Sequence, residues 1–347
     1  MPLLSDAKKV RTLLEEFQSK RIAIPCFCSE NTYTMEGILA GASRVSQSLG
    51  LETVAVFIAV TANYPGRQQF KNYTCLGSIE EGFMAFRSDL ERLSRPDGPF
   101  ANVLAIPSLD HGQCDDDEFL FEDGKDFWGC VMYDCSGLSL DENRKRTAEF
   151  VKRHKGDYII EGCVDEIVES GETDKMQLTD PKEARIFLEE TGVDLMVVNL
   201  GTEHRATKSG LKYHGDLARE ISSAVGNKLV LHGTSSLTEE DLPKLADDGI
   251  CKVNIWAVLE TEAAQNMAEA HIRNIGKILS EEQIKALLED GWLGEKAMEH
   301  SREHCPTLDY MTEVYRRNEL KEPIVSRLVE QYFLSFGYEK LALHGNK

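Results

Sequence analysis

Residues 103–112 read VLAIPSLDHG, a continuously apolar run that ends in an aspartate, a histidine and a glycine. Continuous apolarity, without alternation of polar and apolar residues, is typical of a parallel strand that is covered on both faces. Similar runs recur along the chain, and each is followed by turn residues and then by a stretch of helical periodicity. The eight predicted strands are IAIPCFC (22–28), TVAVFIAV (53–60), VLAIPSL (103–109), GCVMYD (129–134), DYIIEGC (157–163), DLMVVNL (194–200), KLVLHG (228–233) and CKVNI (251–255).

Eight strand–helix units over about 250 residues predict a closed (β/α)8 barrel, the TIM barrel of the α/β class. A doubly wound open sheet is the alternative, but it usually has fewer units and a G-x-G-x-x-G motif after its first strand, and this chain has no such motif there. Helices are expected between the strands, for example over TEEDLPKLADDG (238–249).

The domain prediction is a barrel over residues 1–264 and a C-terminal helical extension over residues 265–347. The extension carries an apolar stripe of side chains at helical spacing, and this stripe predicts that the extension packs on the barrel or on a second subunit. Its residues are Ile324, Leu328, Gln331 and Tyr332.

Composition bears on the classes of partner that the protein can bind. The 347 residues include 39 Lys and Arg against 59 Asp and Glu, a net charge of −20. This charge repels nucleic-acid phosphates and anionic membranes, so neither is an expected partner. It does not exclude an anionic small molecule, because one local cation can dominate a pocket. Nine cysteines without a CxxC pair, and no apolar run near the roughly 20 residues of a membrane span, predict a cytoplasmic protein.

Three of the nine histidines, His111, His204 and His232, directly follow predicted strands 3, 6 and 7. In a barrel, the carboxyl ends of the strands face the reaction site. Imidazole is the commonest neutral metal ligand, and three of them predict a divalent ion with an open position that polarises a carbonyl group. The alternative is that each histidine is a hydrogen-bonded barrel residue.

Two further features bear on this site. Asp110 adjoins His111 and is predicted to move a proton to or from a substrate hydroxyl. HGTSS (232–236) offers backbone N–H groups and hydroxyls to an anion at the usual phosphate corner of such barrels. His300 and His304 are one helical turn apart without the glutamate of an HExxH motif, so they are expected on a solvated surface.

Taken in order, these motifs resemble the class II, metal-dependent ketose-bisphosphate aldolases of the fructose- and tagatose-bisphosphate type. The resemblance spans residues 22–262. The motifs that carry it are SLDHG (108–112), VMYDCS (131–136), VNLGTEH (198–204), LVLHGTS (229–235) and KVNI (252–255).

The resemblance implies reversible aldol cleavage of a ketose or ketose phosphate through an enediolate, in a homodimer. It implies zinc, or another divalent metal, on His111, His204 and His232, with Asp110 accepting the C4 hydroxyl proton. It also implies that substrate contacts come from Thr61, Gly201, Arg205, Gly233, Ser235 and Asn254.

Departures from the family pattern lie mainly on the phosphate-binding side. Arg205 replaces a glycine, Trp256 begins a segment that is usually Asp-Thr-Asp, and Cys28 replaces an asparagine. The preferred substrate is therefore not expected to be fructose 1,6-bisphosphate. Arg205 would grip a phosphate or carboxylate, shorten the pocket, or pair with surface acids.

Some alternatives stay open. The assisting glutamate of the loop after strand 5 is Glu166, Glu169 or Glu172. The same barrel and metal would also serve another enolate reaction, such as epimerisation or keto-acid cleavage, and a non-catalytic binding role is the third reading of the altered motifs.

Overall fold

The computed structural model of the protein describes residues 3–168, 177–205 and 211–344. Eight parallel strands form a closed barrel in chain order, with β8 paired to β1. The predicted (β/α)8 barrel followed by C-terminal helices is therefore confirmed. The strands are β1 (Ile24–Cys28), β2 (Val54–Thr61), β3 (Val103–Gln113), β4 (Cys130–Asp134), β5 (Ile159–Cys163), β6 (Leu195–Val197), β7 (Leu229–Leu231) and β8 (Ile250–Ile255).

Helices surround this barrel and continue beyond it. Several begin with an Asp, Asn or Ser side chain that accepts a backbone N–H of the first turn, as N-caps do. The described helices are α1 (Ala7–Ser19), α2 (Thr32–Leu49), α3 (Gln69–Tyr73), α4 (Ile79–Ser94), α5 (Glu118–Asp123), α6 (Leu140–His154), α7 (Pro181–Thr191), α8 (Gly215–Val225), α9 (Ala257–Arg273), α10 (Ile275–Ile278), α11 (Glu281–Glu289), α12 (Lys296–Glu303), α13 (Glu322–Ser335) and α14 (Glu339–His344). None of these helices combines the length and the apolarity that crossing a bilayer requires.

The helix predicted over residues 238–249 does not form. This described segment holds only a short 3-10 turn, Leu242–Lys244. Asp241 accepts hydrogen bonds from the hydroxyl and the backbone N–H of Thr238, at 2.6 and 3.2 Å, which closes one tight turn. Pro243 then has no N–H to extend the turn into an α-helix.

The C-terminal helix α13 packs on α2, and the contact depends on glycine. A Cβ on Gly41 would lie 2.6 Å from the carbonyl oxygen of Ser326 and 2.7 Å from Cβ of Val329. Val329 is fully buried, and the ring of Phe333 lies 6.2 Å from that of Phe27 on β1. The extension therefore contacts the barrel. The domain boundary at residue 264 stays a prediction, and α9 runs across it.

Replacing Gly41 with valine is expected to lower the free energy of unfolding by about 1–3 kcal/mol, because the added side chain overpacks this contact. The gain in helix propensity is below about 1 kcal/mol, so the steric cost prevails. Denaturant unfolding measures the change. The control is Gly294→Val, where a Cβ meets nothing within 4 Å. Equal losses in the two variants would contradict the proposed close packing.

Candidate active site

An irregularity in β3 places two consecutive side chains at the mouth of the barrel. Residues in a regular strand alternate between its two faces. Here the pairing of β3 with β4 shifts register between Leu109 and Gly112, and His111 has a φ of 49°. Asp110 and His111 are both buried at the mouth, at 1% and 3% exposed. The strand also runs on to Gln113, past the predicted end at Leu109, because Asp110 still pairs with Thr61 of β2 and the pairing with β4 resumes at Gly112 and Gln113.

The three predicted histidines converge. One ring nitrogen from each of His111, His204 and His232 lies within 4.8 Å of the other two. Their ring centroids are 4.9 to 5.7 Å apart, and all three side chains are buried. In the described part of the chain, none of the three Nε2 atoms has a hydrogen-bond partner. Buried polar atoms without partners are costly, so this donor set fits a bound divalent metal.

A neighbouring acidic group orients one of these rings. Nδ1 of His111 lies 2.6 Å from Oδ2 of Asp134, at the end of β4. A carboxylate on Nδ1 fixes the tautomer and direction of a metal-binding histidine and leaves its Nε2 to the ion. Oε1 of Glu161 on β5 lies 3.5 Å from Nε2 of His232, so Glu161 places negative charge beside the donor nitrogen itself. The strand-end pattern alone assigned neither Asp134 nor Glu161 to the site.

Burial favours the neutral form of two of the donors, His204 and His232. Burial lowers the pKa of His204 well below its ordinary value, and the nearby rings of His111 and His232 lower it further. Burial also lowers the pKa of His232, although Glu161 opposes this effect. Glu161 is itself charged, because the ammonium of Lys252, 2.7 Å from Oε2, and the neighbouring His232 together outweigh burial and lower the pKa of its carboxyl group. Neutral imidazoles are the form that binds metal.

The carboxylate of Asp110 is held on both oxygens. Oδ1 accepts a hydrogen bond from Nδ2 of Asn254 at 2.9 Å. Oδ2 accepts one from Nη2 of Arg67, and the thiol of Cys28 lies 3.5 Å from the same oxygen. Burial alone would raise the pKa of Asp110, but the positive charge of Arg67 together with other neighbouring groups outweighs it and lowers that pKa. Asp110 is therefore an anion beside the histidine cluster.

Arg67 lies in the loop after β2, and Thr61 holds this loop in place. The Thr61 hydroxyl donates to the carbonyl oxygen of Arg67, and the Thr61 backbone N–H donates to Oε1 of Gln69 at 2.9 Å. The same loop carries Tyr64, whose ring stacks on His111 with centroids 4.0 Å apart. Sequence reasoning missed Arg67. The only available signal was a basic residue in a loop that follows a barrel strand.

The predicted phosphate corner has the expected backbone shape. Gly233 has a φ of 72°, and a Cβ there would lie 2.6 Å from the carbonyl oxygen of Glu203. Only glycine fits such a position without strain. Gly201 is similarly constrained, because its Cβ would lie 2.5 Å from the carbonyl oxygen of Lys212. Nη1 of Arg205 reaches the carbonyl oxygen of Gly66 at 3.4 Å.

One small cleft joins these groups. Its wall includes most of the predicted site residues, namely Asp110, His204, Arg205, His232, Gly233, Ser235 and Asn254, together with Cys28, Arg67 and Trp256. Among the described residues, the wall does not include His111, Thr61 or Gly201. Thr61 holds the loop that carries Arg67, and Gly201 is packed closely against the backbone of Lys212.

Of the three candidate loop glutamates, Glu166 is within the described residues, and it is not part of the cavity wall. Glu166 is exposed, and its described contact is a backbone one, in which Asn199 donates to its carbonyl oxygen at 3.3 Å. Glu169 and Glu172 lie outside the described residues. On α12 and its end, His300 and His304 are exposed, in agreement with a solvated surface, and Glu303 lies beside them.

Comparison with known proteins agrees with this geometry. The family model for class-II fructose-bisphosphate aldolase matches residues 8–308. Three solved structures share the fold over almost their whole length. They are the YdjI aldolase of Escherichia coli K12 (TM-score 0.67, 19% identity, 96% of this chain and 98% of that chain), a fructose-bisphosphate aldolase of Campylobacter jejuni (0.72, 15%, 96% and 95%) and a putative fructose-1,6-bisphosphate aldolase of Coccidioides immitis (0.63, 21%, 97% and 99%).

At these identities the structural neighbours establish the fold, whereas the family model covers most of the sequence itself. The model's match runs from α1 to the 3-10 turn beyond α12 and so includes every strand of the barrel. The protein is therefore a member of the class II fructose-bisphosphate aldolase family.

Proposed function

We propose that this protein is a metal-dependent lyase that reversibly cleaves a ketose or ketose phosphate by aldol chemistry. Family membership supports aldol-type cleavage of ketose phosphates. The observation that carries the proposal is the cluster of three buried imidazoles directly beside the carboxylate of Asp110.

His111, His204 and His232 would hold the metal. Three nitrogen ligands with room for a substrate oxygen are typical of catalytic zinc, so we assign zinc and keep another divalent metal as the alternative. When bound, the ion supplies a Lewis acid that polarises the ketone and stabilises negative charge on it.

Asp110 would move the proton. In the cleavage direction its carboxylate takes the proton from the C4 hydroxyl, and in condensation it returns that proton to the aldehyde oxygen. Asn254 holds Asp110 through its amide nitrogen and is itself part of the cavity wall, with its amide oxygen not used in that bond. That oxygen has no hydrogen-bond partner among the described residues, so it is available to a substrate hydroxyl.

The anionic end of the substrate would lie at Gly233, Ser235 and Arg205. Backbone N–H groups in a glycine-containing turn and a nearby guanidinium are both suited to an oxyanion. Thr61 and Gly201 would contribute indirectly, by holding the backbone that forms the wall.

The preferred substrate would differ from fructose 1,6-bisphosphate. Arg67, Arg205 and Trp256 all line the cavity, and Cζ of Arg67 lies 4.9 Å from the centroid of the Trp256 ring. Bulky and cationic side chains at the wall change both the space and the charge that a substrate meets. A glutamate of the loop after β5 would assist at C3 only if the loop brings it to the cavity.

We further propose a cytoplasmic homodimer with small-molecule substrates and without nucleic-acid or membrane partners. All nine cysteines are free, which suits a reducing compartment. A second copy would cover exposed apolar side chains of the extension, such as Ile272, Trp292 and Leu308. The net charge of −20 disfavours polyanionic partners.

The first test is metal content. Wild-type protein is expected to contain about one zinc per chain, and His204→Ala is expected to lose it, because only two imidazoles remain. Elemental analysis after exhaustive dialysis gives the ratio. The control is the double variant His300→Ala, His304→Ala, which removes the exposed histidine pair. Metal lost in the control and kept in His204→Ala would place the ion elsewhere.

The second test separates proton transfer from metal binding. Asp110→Asn is expected to lower kcat by about 100- to 10,000-fold, since the amide cannot accept the hydroxyl proton. Its zinc content should stay at the wild-type value. Asp116→Asn, an exposed neighbour on the loop after β3, serves as the matched control. Full activity in Asp110→Asn would refute the assigned role.

The third test concerns the substrate. Zinc-reconstituted protein is assayed for cleavage of several ketose phosphates and for condensation of aldehydes with hydroxyketone and dihydroxyacetone-phosphate donors. A ketose other than fructose 1,6-bisphosphate is expected to show the highest kcat/KM, because the cavity wall differs on its phosphate side. Fructose 1,6-bisphosphate as the best substrate would contradict this expectation. Epimerised product without cleavage would indicate the alternative enolate reaction.

A further inference from the structure

Two cysteines occupy neighbouring positions at the ends of β3 and β4. Gln113 pairs with Asp134 in the register of these strands, and Cys114 and Cys135 are the residues that follow directly. Neighbouring strands lie about 4.8 Å apart. A disulfide needs Cα atoms that are about 4.4 to 6.8 Å apart. The register therefore places the two backbone segments at a distance that a disulfide can span.

Both cysteine side chains lie on the outer face of the barrel, towards α6. The ring of Tyr133 on β4 stacks on that of Phe150 on α6, with centroids 3.9 Å apart. Cys135 is two positions further along, so it shares this face. Sγ of Cys114 lies 3.7 Å from Nη1 of Arg146, which also belongs to α6. The two thiols are therefore on the same side of adjacent strands.

The surroundings give the two thiols different roles. Both are free, and Cys135 is buried whereas Cys114 is partly exposed. Burial raises the pKa of the Cys135 thiol, and the neighbouring sulfur of Cys114 raises it further. Oxidation of a cysteine follows its thiolate character and its exposure. Cys114 is therefore the residue that meets an oxidant, and Cys135 is the residue that reacts with the product.

The cysteine pair adjoins the histidine cluster. Cys135 directly follows Asp134, whose Oδ2 lies 2.6 Å from Nδ1 of His111. Gln113, just before Cys114, donates a hydrogen bond from its side-chain amide to the carbonyl oxygen of His111 at 2.9 Å. A covalent bond between the two cysteines would therefore join the two backbone segments that hold His111.

We propose that Cys114 and Cys135 are a site of reversible oxidative modification. Under oxidising conditions they form a disulfide that ties the end of β3 to the end of β4, and this link restrains His111 and Asp134 in their present arrangement. In a reducing compartment the pair returns to two thiols. The site is distinct from the aldol chemistry, because neither cysteine is among the described residues that line the catalytic cleft.

The oxidant is a hydroperoxide, of which hydrogen peroxide is the simplest. Cys114 loses its proton, and its thiolate attacks one peroxide oxygen. The O–O bond breaks, and the departing hydroxide takes up that proton and leaves as water. Cys114 is then a sulfenic acid. The sulfur of Cys135 attacks the sulfenic sulfur, the S–O bond breaks, and the hydroxyl group leaves with the Cys135 proton as a second water.

The balance of this sequence is complete. Two thiols lose two electrons, and one peroxide takes them up and becomes two waters. A dithiol reverses the modification by thiol–disulfide exchange and is itself oxidised to a disulfide.

Peptide mapping tests the proposal. The protein as purified is treated with hydrogen peroxide, its remaining thiols are blocked, and its tryptic peptides are analysed by mass spectrometry. Lys125 lies between Cys114 and Cys135, so trypsin separates the two cysteines unless a disulfide links them. We expect a linked pair of peptides from single chains, which dithiothreitol separates. Absence of this pair, or its presence in covalent dimers alone, would overturn the proposal.

Cys114→Ser is the test variant, because its partly exposed position disturbs less of the core than a change at the buried Cys135. It is expected to lose the linked pair. The matched controls are Cys75→Ser and Cys305→Ser, each of which removes one exposed thiol. Both controls should form the link as wild type does. Loss of the link in either control would assign the disulfide to another pair and contradict the proposal.

The restraint on the strand ends has its own measurement. The disulfide closes a loop of about 20 residues, so the Tm of the oxidised protein is expected to exceed that of the reduced protein by about 3–8 °C. Cys114→Ser should have the same Tm before and after peroxide treatment. A protein that carries the link but melts at the temperature of the reduced form would overturn the restraint.

Metal release connects the restraint to His111, and this measurement rests on the proposed function. Transfer of bound zinc to a chelator is expected to be slower in the oxidised wild type than in the reduced form, and equal in the two preparations of Cys114→Ser. Equal rates in wild type would overturn the effect on His111. A protein that forms the link but binds no metal would instead contradict the metal-dependent function and leave the disulfide established.

Discussion

The local distortion of β3 is the constraint on which the site depends. In an undistorted strand, Asp110 and His111 would face opposite sides, and only one of them would reach the mouth of the barrel. The register shift before Gly112 and the left-handed backbone of His111 bring both to the same place. Such a backbone costs about 1–2 kcal/mol for a residue with a side chain. The contact with Asp134 and the stacked ring of Tyr64 hold His111 in this conformation.

Two buried ion pairs lie at the barrel mouth, one on each side of the histidine cluster. Below the histidines, Glu161 and Lys252 form a buried ion pair, and the second oxygen of Glu161 lies 3.5 Å from Nε2 of His232. Above them, Asp110 and Arg67 form a second pair that opens onto the cavity. Glu161 and Lys252 are not among the residues that line that cleft. Asp110 and Arg67 do line it, so the upper pair is next to the space that a substrate would fill.

The sequence alone was sufficient to predict the barrel, because parallel strands that are buried on both faces are apolar along their whole length. It was also sufficient to predict that the three histidines converge, because each directly follows such a strand. It did not predict that the segment that begins with the Thr238–Asp241 pair would stop at a 3-10 turn instead of continuing as a helix. It also missed Arg67, because no local pattern shows that a loop residue after β2 folds onto Asp110, 43 residues further along the chain. That contact depends on how the loop after β2 folds over the end of the neighbouring strand β3.

The attachment of α13 to the outside of β1 and α2 affects how the protein is made. The rings of Tyr332 and Phe333 cover Phe27, and the hydroxyl of Tyr338 donates to the carbonyl oxygen of Ala55, 283 residues earlier in the chain. During translation, the first two strands emerge from the ribosome long before the helix that shields them. The part of their apolar outer surface that these helices cover therefore stays uncovered until the last helices have been synthesised.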